Sequence, residues 1–207
     1  MPDGRLVTVA DEDAVMLWSK DLRSATRIAA IDWGVSAAAA APAGPPRVAV
    51  VGIKAAIFPV AVAGVGRGMD DHHERARGTV TIPITESLHC VAWSPDGRRL
   101  LCGGRRGEAV VYDAATGDLL GKLVPHARPV AAVAWSPDGE VLLTADDLGM
   151  RLTDAATLAV FDEIRPGWAI AGIAVSAAGD LVALVGNDHA EPAERTGRLA
   201  TLSLPRP

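Results

Sequence analysis

Val91-Ala92-Trp93-Ser94-Pro95-Asp96-Gly97 recurs as Val133-Ala134-Trp135-Ser136-Pro137-Asp138-Gly139, a period of 42 residues. Self-similarity at that spacing marks a supersecondary unit repeated in tandem. A degraded third copy, Ile173-Ala174-Val175-Ser176-Ala177-Ala178-Gly179, follows 40 residues after the second, and Met1-Pro2-Asp3-Gly4 reads as the tail of another. Each of the two strong copies leads into short alternating stretches separated by turn residues. Arg99 to Cys102 and Ala109 to Tyr112 flank a Gly-rich turn, and Val141 to Thr144 and Met150 to Thr153 repeat the arrangement. Strands of this length at intervals of about ten residues, with Pro-Asp-Gly and Ala-Thr-Gly between them, predict an all-β array with four strands per unit. A unit of that size cannot bury both of its faces alone, so units must stack and share cores.

The Ala-Trp-Ser-Pro-Asp-Gly copies, each followed by Leu-Leu and a hydrophobic strand, with Tyr112-Asp113 before Ala-Thr-Gly, resemble blades of bacterial WD-repeat β-propellers. The resemblance is specific for residues 88–165, looser for 1–20 and 166–204, and weak for 21–87. It implies a single propeller of four-stranded antiparallel blades, about five units, incomplete or open: 1–27 (partial), 28–87 (divergent, with insertions), 88–129, 130–168 and 169–207 (partial). The closing Trp-Asp pair of the family stands here as Tyr112-Asp113 and Thr153-Asp154, and Trp18-Ser19 keeps only the tryptophan. The resemblance further implies a buried set in which His126, Thr144 and Asp146 or Asp147 hydrogen-bond while Thr153 replaces the indole. His126 and Thr144, with Trp93, Trp135, Asp113 and Asp154, are therefore read as structural.

The first unit starts inside the turn after an inner strand, and the last ends on a third strand. Of the two explanations, an upstream start of the coding region is preferred to a fragment completed by another copy or a partner. In 21–87 the strand candidates are Ile28 to Trp33, Arg47 to Val51, Ala55 to Val62 and Thr79 to Ile84. An Ala37 to Pro46 loop and a polar Gly64 to Gly78 loop are expected to protrude between them.

Composition narrows the function. The formal charge of −5 argues against a phosphate-tracking surface and a polybasic anchor. The uncharged run from Ala55 to Gly66 is 12 residues, short of the roughly 18 needed to span a bilayer. No signal peptide is read at the start, two cysteines make no disulfide framework, and a cytoplasmic, bacterial protein is expected. Cys90 and Cys102, on adjacent strands, are read as buried free thiols. No nucleophile elbow, phosphate loop or Rossmann fingerprint is present. Asp70-Asp71-His72-His73-Glu74 concentrates metal-competent side chains, but neighbours in one loop cannot all converge on an ion, and no metal or cofactor is assigned.

The turns after each second strand share one face in a propeller. They carry Asp11, Glu12 and Asp13, then Arg105 and Arg106, then Asp146 and Asp147, then Asp188. The expected face is mainly acidic with one basic sector, suited to steering a basic segment of a protein partner. The first reading is a non-catalytic interaction scaffold, with self-association through open blade edges. The alternatives are a metal-assisted hydrolase using the Asp70 to Glu74 loop and a truncated piece of a longer WD-repeat protein.

Overall fold

The computed structural model describes residues 6–10, 14–31, 33–60, 78–188 and 196–205. Among these there is no helix, and hence none long and apolar enough to cross a membrane. The strands are β1 (Leu6–Ala10), β2 (Ala14–Trp18), β3 (Ala25–Ala30), β4 (Val35–Ala40), β5 (Arg47–Gly52), β6 (Ala55–Pro59), β7 (Val80–Ile82), β8 (Leu88–Trp93), β9 (Arg99–Gly104), β10 (Ala109–Asp113), β11 (Leu119–Lys122), β12 (Ala132–Trp135), β13 (Val141–Ala145), β14 (Met150–Asp154), β15 (Val160–Ile164), β16 (Ala169–Val175), β17 (Leu181–Asn187) and β18 (Gly197–Ser203). They pair with their sequence neighbours into five antiparallel meanders: β1 to β3, β4 to β7, β8 to β11, β12 to β15 and β16 to β18. The all-β blade architecture expected from the repeat is the observed one.

The sheets stack through their inner strands. β4, β8, β12 and β16 pack one on the next, and each also touches the second strand of the sheet before it: β8 on β5, β12 on β9, β16 on β13. β1 meets β4 in the same way, so β1 holds the second-strand position of the first sheet. Side chains alternate across each strand, so each middle sheet feeds two cores. Leu100 and Cys102 join Ala49, Val51 and Ile57 of the second sheet, while Leu101 between them joins Trp135 and Leu142 of the fourth. A core of this kind fills every joint, the outermost two built on Val15, Leu17 and Val48, and on Leu143, Leu152 and Leu184.

The Ser-Pro-Asp-Gly string is a self-bonded turn between first and second strands. The Ser94 hydroxyl donates to Asp96 Oδ1 at 2.6 Å and accepts from the Arg99 amide at 2.8 Å. Asp96 Oδ1 also takes the Arg98 amide, and Gly97 sits at φ +69°, where a side chain is strained. Ser136, Asp138 and Gly139 repeat the turn, and Ser176 with Asp180 and Gly179 does so with the carboxylate two residues later. The Asp113 and Asp154 carboxylates each accept two amides of the following turn, and these amides at Asp113, and the Thr157 hydroxyl with the amides at Asp154, hold both below the usual carboxylate range.

Trp93 and Trp135, at the ends of inner strands, lie across joints. The Arg47 guanidinium of the second sheet stacks 4.9 Å from the Trp93 ring centre and donates to Gly97 O and Ala114 O, while Trp93 Nε1 donates to Ala39 O at 2.9 Å. One sheet on, Arg99 stacks 4.6 Å from Trp135. At the fourth joint the same positions hold Val141 and Val175, in one apolar core. The joint thus tolerates either a cation over an indole or a purely aliphatic pair.

Two strand expectations are corrected. Ala37 to Pro46 is not a protruding loop, because Val35–Ala40 is the inner strand β4. Its alanines look like low complexity but let the sheet approach β8 closely, and Ala37 and Ala39 pack in the shared core. Ile28 to Trp33 is not a strand of the second sheet. Ala25–Ala30 forms the outer strand of the first sheet, so a unit boundary after residue 27 cuts through β3. Ala41 takes the backbone position of Ser94, bonding to Arg47 O as Ser94 does to Arg99 O. Most of the Gly64 to Gly78 loop lies outside the described residues.

If the stacked cation closes the joint, Trp93→Ala lowers the unfolding free energy by about 3–5 kcal/mol and Arg47→Ala by about 1–2 kcal/mol in urea titrations. A loss below about 1 kcal/mol for Trp93→Ala would show that the indole does not hold the second and third sheets together.

Candidate functional site

All five sheets run in the same sense about the stack, so the turns after their second strands emerge at one end. Those described are Ile53-Lys54, Arg105 to Glu108, Asp146 to Gly149, and the ends of the β17–β18 connection at Asp188 and Thr196. Asp11, Glu12 and Asp13 lie outside the described residues, as does the Asp70 to Glu74 cluster. Among the described residues no three His, Cys, Asp or Glu side chains are grouped to hold a metal ion.

His126 lies on the connection between the third and fourth sheets and is buried beneath it. Its Nε2 is 2.8 Å from Thr144 Oγ1 and its Nδ1 is 3.4 Å from Asp146 Oδ2. A neutral imidazole with its proton on Nδ1 satisfies both neighbours, since Thr144 then donates to Nε2. Burial pulls the His126 pKa below its ordinary value, with Asp146 opposing and Arg151 assisting. Asp146 Oδ1 accepts the Leu148 and Gly149 amides, so the carboxylate ties the turn to the connection. Arg151 fastens the same connection by donating to Val124 O and Pro125 O. Of the pair left open by the sequence, Asp146 is the acid of this set. At 4% exposure it is a structural residue rather than part of an exposed acidic face, which corrects its placement there. Thr153, in the place of the indole, is buried with no hydrogen-bond partner for its hydroxyl.

The third sheet solves the same problem differently. Gly104 stands where Asp146 would be, and a Cβ on that residue would run into the Glu86 carboxylate. Glu86 Oε2 accepts the Arg106 amide at 2.8 Å, and Ser87 O accepts the Arg105 amide at 3.0 Å. On its other side the turn is held by His126 N to Gly107 O and Val130 N to Gly104 O. Arg105 and Arg106 are therefore mounted on a braced turn, beside the connection that carries Arg128. All three side chains are exposed and unpaired among the described residues.

The nearby acids are mostly engaged. Glu86 caps its turn, Glu108 faces Lys122 at 3.9 Å, and Asp188 binds Thr196 and faces Arg198 at 3.6 Å. Asp147 is half-buried and leaves one carboxylate oxygen unbonded. The described part of this end is thus cationic around Arg105, Arg106 and Arg128, the place of the one basic sector expected on a mainly acidic face, whose acidic turn at Asp11 to Asp13 lies outside the described residues. Sequence reading passed over Arg128 and Glu86 because neither lies in the turn after a second strand. At the opposite end a cleft of about 390 Å³ opens beside Arg99, lined by Gly139, Glu140, Asp154 and Ala155.

The two cysteines are free and point to opposite faces of the third sheet, since Cys102 pairs with Val91 and Cys90 with Gly103. Burial pushes the Cys90 thiol up to about 12 and raises Cys102 as well, so neither is an activated nucleophile.

Removing the orphaned hydroxyl with Thr153→Val is expected to leave stability unchanged or raise it by about 1 kcal/mol, whereas Thr144→Val, which strands His126 Nε2, lowers it by about 1–3 kcal/mol. Equal losses in denaturant titrations of the two variants would contradict this assignment. The imidazole of His126 is expected to titrate below its ordinary pKa of about 6.5 by NMR. As pH falls through that value the unfolded chain takes the proton first, so the contribution of His126 is full above about 6.5 and declines below it. A midpoint above 6.5 would reverse the sign.

Residues 79–113 and 117–154 match the family model of the WD domain, G-beta repeat. Each matched stretch begins with an outer strand, β7 or β11, and continues through three strands of the following sheet. No curated protein matches the chain in sequence. Among solved structures, the WD40 β-propeller domain of Doa1 superposes with a TM-score of 0.69 at 13% identity, over 89% of this chain and 58% of that one. A chain in the crystal structure of a mitotic checkpoint complex superposes with a TM-score of 0.67 at 22% identity, over 86% of this chain and 52% of that one. The chain therefore spans little more than half the length of either. It carries WD repeats and has the fold of the WD40 β-propellers.

Proposed function

We propose that the chain is a non-catalytic protein-interaction platform, acting in the cytoplasm, whose partner is held at the end bearing the turns after the second strands. WD40 propellers commonly mediate protein–protein contacts, and that shared property is the starting point. The observation that carries the reading is the bracing of Arg105, Arg106 and Arg128. Their turn and connection are cross-bonded by backbone amides and by Glu86, so the three guanidinium groups stand on a frame that loses little freedom when a partner binds. Guanidinium groups unpaired among the described residues favour carboxylates, so we propose an acidic segment of a protein partner in place of the basic one suggested by sequence.

A fluorescent oligoglutamate peptide tests this. The chain is expected to bind it with an affinity that falls as salt rises. The triple variant R105E/R106E/R128E is expected to lose about tenfold or more. Arg98→Glu, a charge reversal in the Ser-Pro-Asp-Gly turn at the other end, is expected to change little. Equal losses in the two variants, or binding insensitive to both, would remove this end as the docking face.

A further inference from the structure

At the end bearing the Ser-Pro-Asp-Gly turns, two joints built from equivalent residues close differently. Gly139 and Ala155 stand in the fourth sheet where Gly97 and Ala114 stand in the third, because Ala155 N bonds to Glu140 O as Ala114 N does to Arg98 O. Between the second and third sheets the Arg47 guanidinium over Trp93 donates to both Gly97 O and Ala114 O. The Ala43 backbone presses on the same joint, so that a Cβ on Gly97 would lie 2.6 Å from Ala43 O. Between the third and fourth sheets Arg99 takes the same place over Trp135. Its guanidinium, however, makes no hydrogen bond among the described residues, and neither Gly139 O nor Ala155 O accepts one there. A Cβ on Gly139 would meet nothing closer than Pro95, at 3.6 Å. Turn length separates the two joints. The turn from Ala41 to Arg47 is one residue longer than that from Ser94 to Arg99, which Ser94 and Asp96 also draw back on itself. The shorter turn leaves the cleft of about 390 Å³ walled by Arg99, Gly139, Glu140, Asp154, Ala155 and Ala156.

We infer that this cleft is a second binding site, which takes a short proline- and glycine-containing segment of a partner protein through its backbone. It is separate from the arginine-bearing loop end and does not rest on it. Its volume falls within the range of ligand pockets. Arg99, its plane set by the stack on Trp135, offers a fork of donors, and Gly139 O and Ala155 O offer acceptors. A peptide group carries one acceptor and one donor, so successive amides of one segment satisfy both walls. Glu140 and Asp154 line the same cleft and would repel a carboxylate or phosphate brought to Arg99. The molecule already uses such a segment at the equivalent place, where Pro42-Ala43-Gly44-Pro45-Pro46 brings Ala43 against Gly97. Proline lowers the entropy lost when the segment is fixed, and glycine lets its backbone come close.

The probe is the end-capped hexapeptide Ala-Pro-Ala-Gly-Pro-Pro, the sequence of residues 41–46. Titrated into the full chain and followed by NMR, it is expected to shift the Arg99 Nε–H signal and that of the buried Trp135 indole N–H, and to leave the Trp93 indole unmoved. Ala156→Trp, which fills the cleft from an exposed position, is expected to abolish the saturable shift. Arg99→Lys, which keeps the charge but removes the fork, is expected to weaken binding about tenfold. The triple variant R105E/R106E/R128E is expected to bind the peptide as the native chain does, so that the two ends are read separately. No saturable shift at Arg99 and Trp135, loss of binding in the triple variant, or binding undiminished by both Ala156→Trp and Arg99→Lys would each overturn the inference.

Discussion

The structure depends on the joint between consecutive sheets. A four-stranded meander has two apolar faces, and neither can be left in water at a cost the unit could absorb alone. Leu100 and Leu101 are adjacent in sequence, fully buried, and belong to different cores. Removing either neighbour would expose a row of such residues. The small residues of the inner strands follow from the same constraint, because β4, β8, β12 and β16 converge on one another and bulk there would force the sheets apart. Arg47 over Trp93 and Arg99 over Trp135 then seal the end of two joints, whereas the fourth joint uses Val141 and Val175 instead.

Connectivity reinforces the packing. The repeat unit in sequence begins with the outer strand of one sheet and ends with three strands of the next, so each repeat fastens two sheets together. Leu158 illustrates how closely the joints are packed. It adopts φ +59°, a conformation that favours glycine and that the equivalent turn gives to Gly117. Its side chain lies so close against Gly121 of the preceding sheet that a Cβ on that glycine would collide with Leu158 Cδ1. Backbone strain is offset by a contact across the joint. The braced connections at the loop end come from the same geometry: where two sheets meet, the His126 connection can reach both the turn of the fourth sheet and that of the third.

Much of this was legible in the residues. The Ser-Pro-Asp-Gly turns are local, because serine hydroxyl, aspartate and a left-handed glycine act within five residues, so their repetition announced the blades. His126 with Thr144 was legible through family resemblance, and the choice of Asp146 over Asp147 waited on the turn that aims one carboxylate inward. What escaped was non-local or masked by composition. Ala37 to Pro46 read as a loop because alanine carries little pattern, although the closely spaced inner strand Val35–Ala40 favours it. Arg47 and Trp93 are far apart in sequence, so no periodicity joins them. The placement of Asp146 on the exposed face was misjudged because a count of acidic residues cannot tell an exposed Asp from one folded back on a histidine and two amides.

Native-state hydrogen exchange tests the central claim most directly, because it reads the stability of each sheet separately. If shared cores hold the molecule, the amides of β9 and β13, in sheets covered on both faces, exchange only through global unfolding, and protection falls in the first and last sheets. Equal protection in all five sheets, or the slowest exchange in an outermost one, would mean that each sheet is stable by itself and that the joints are not what the fold rests on.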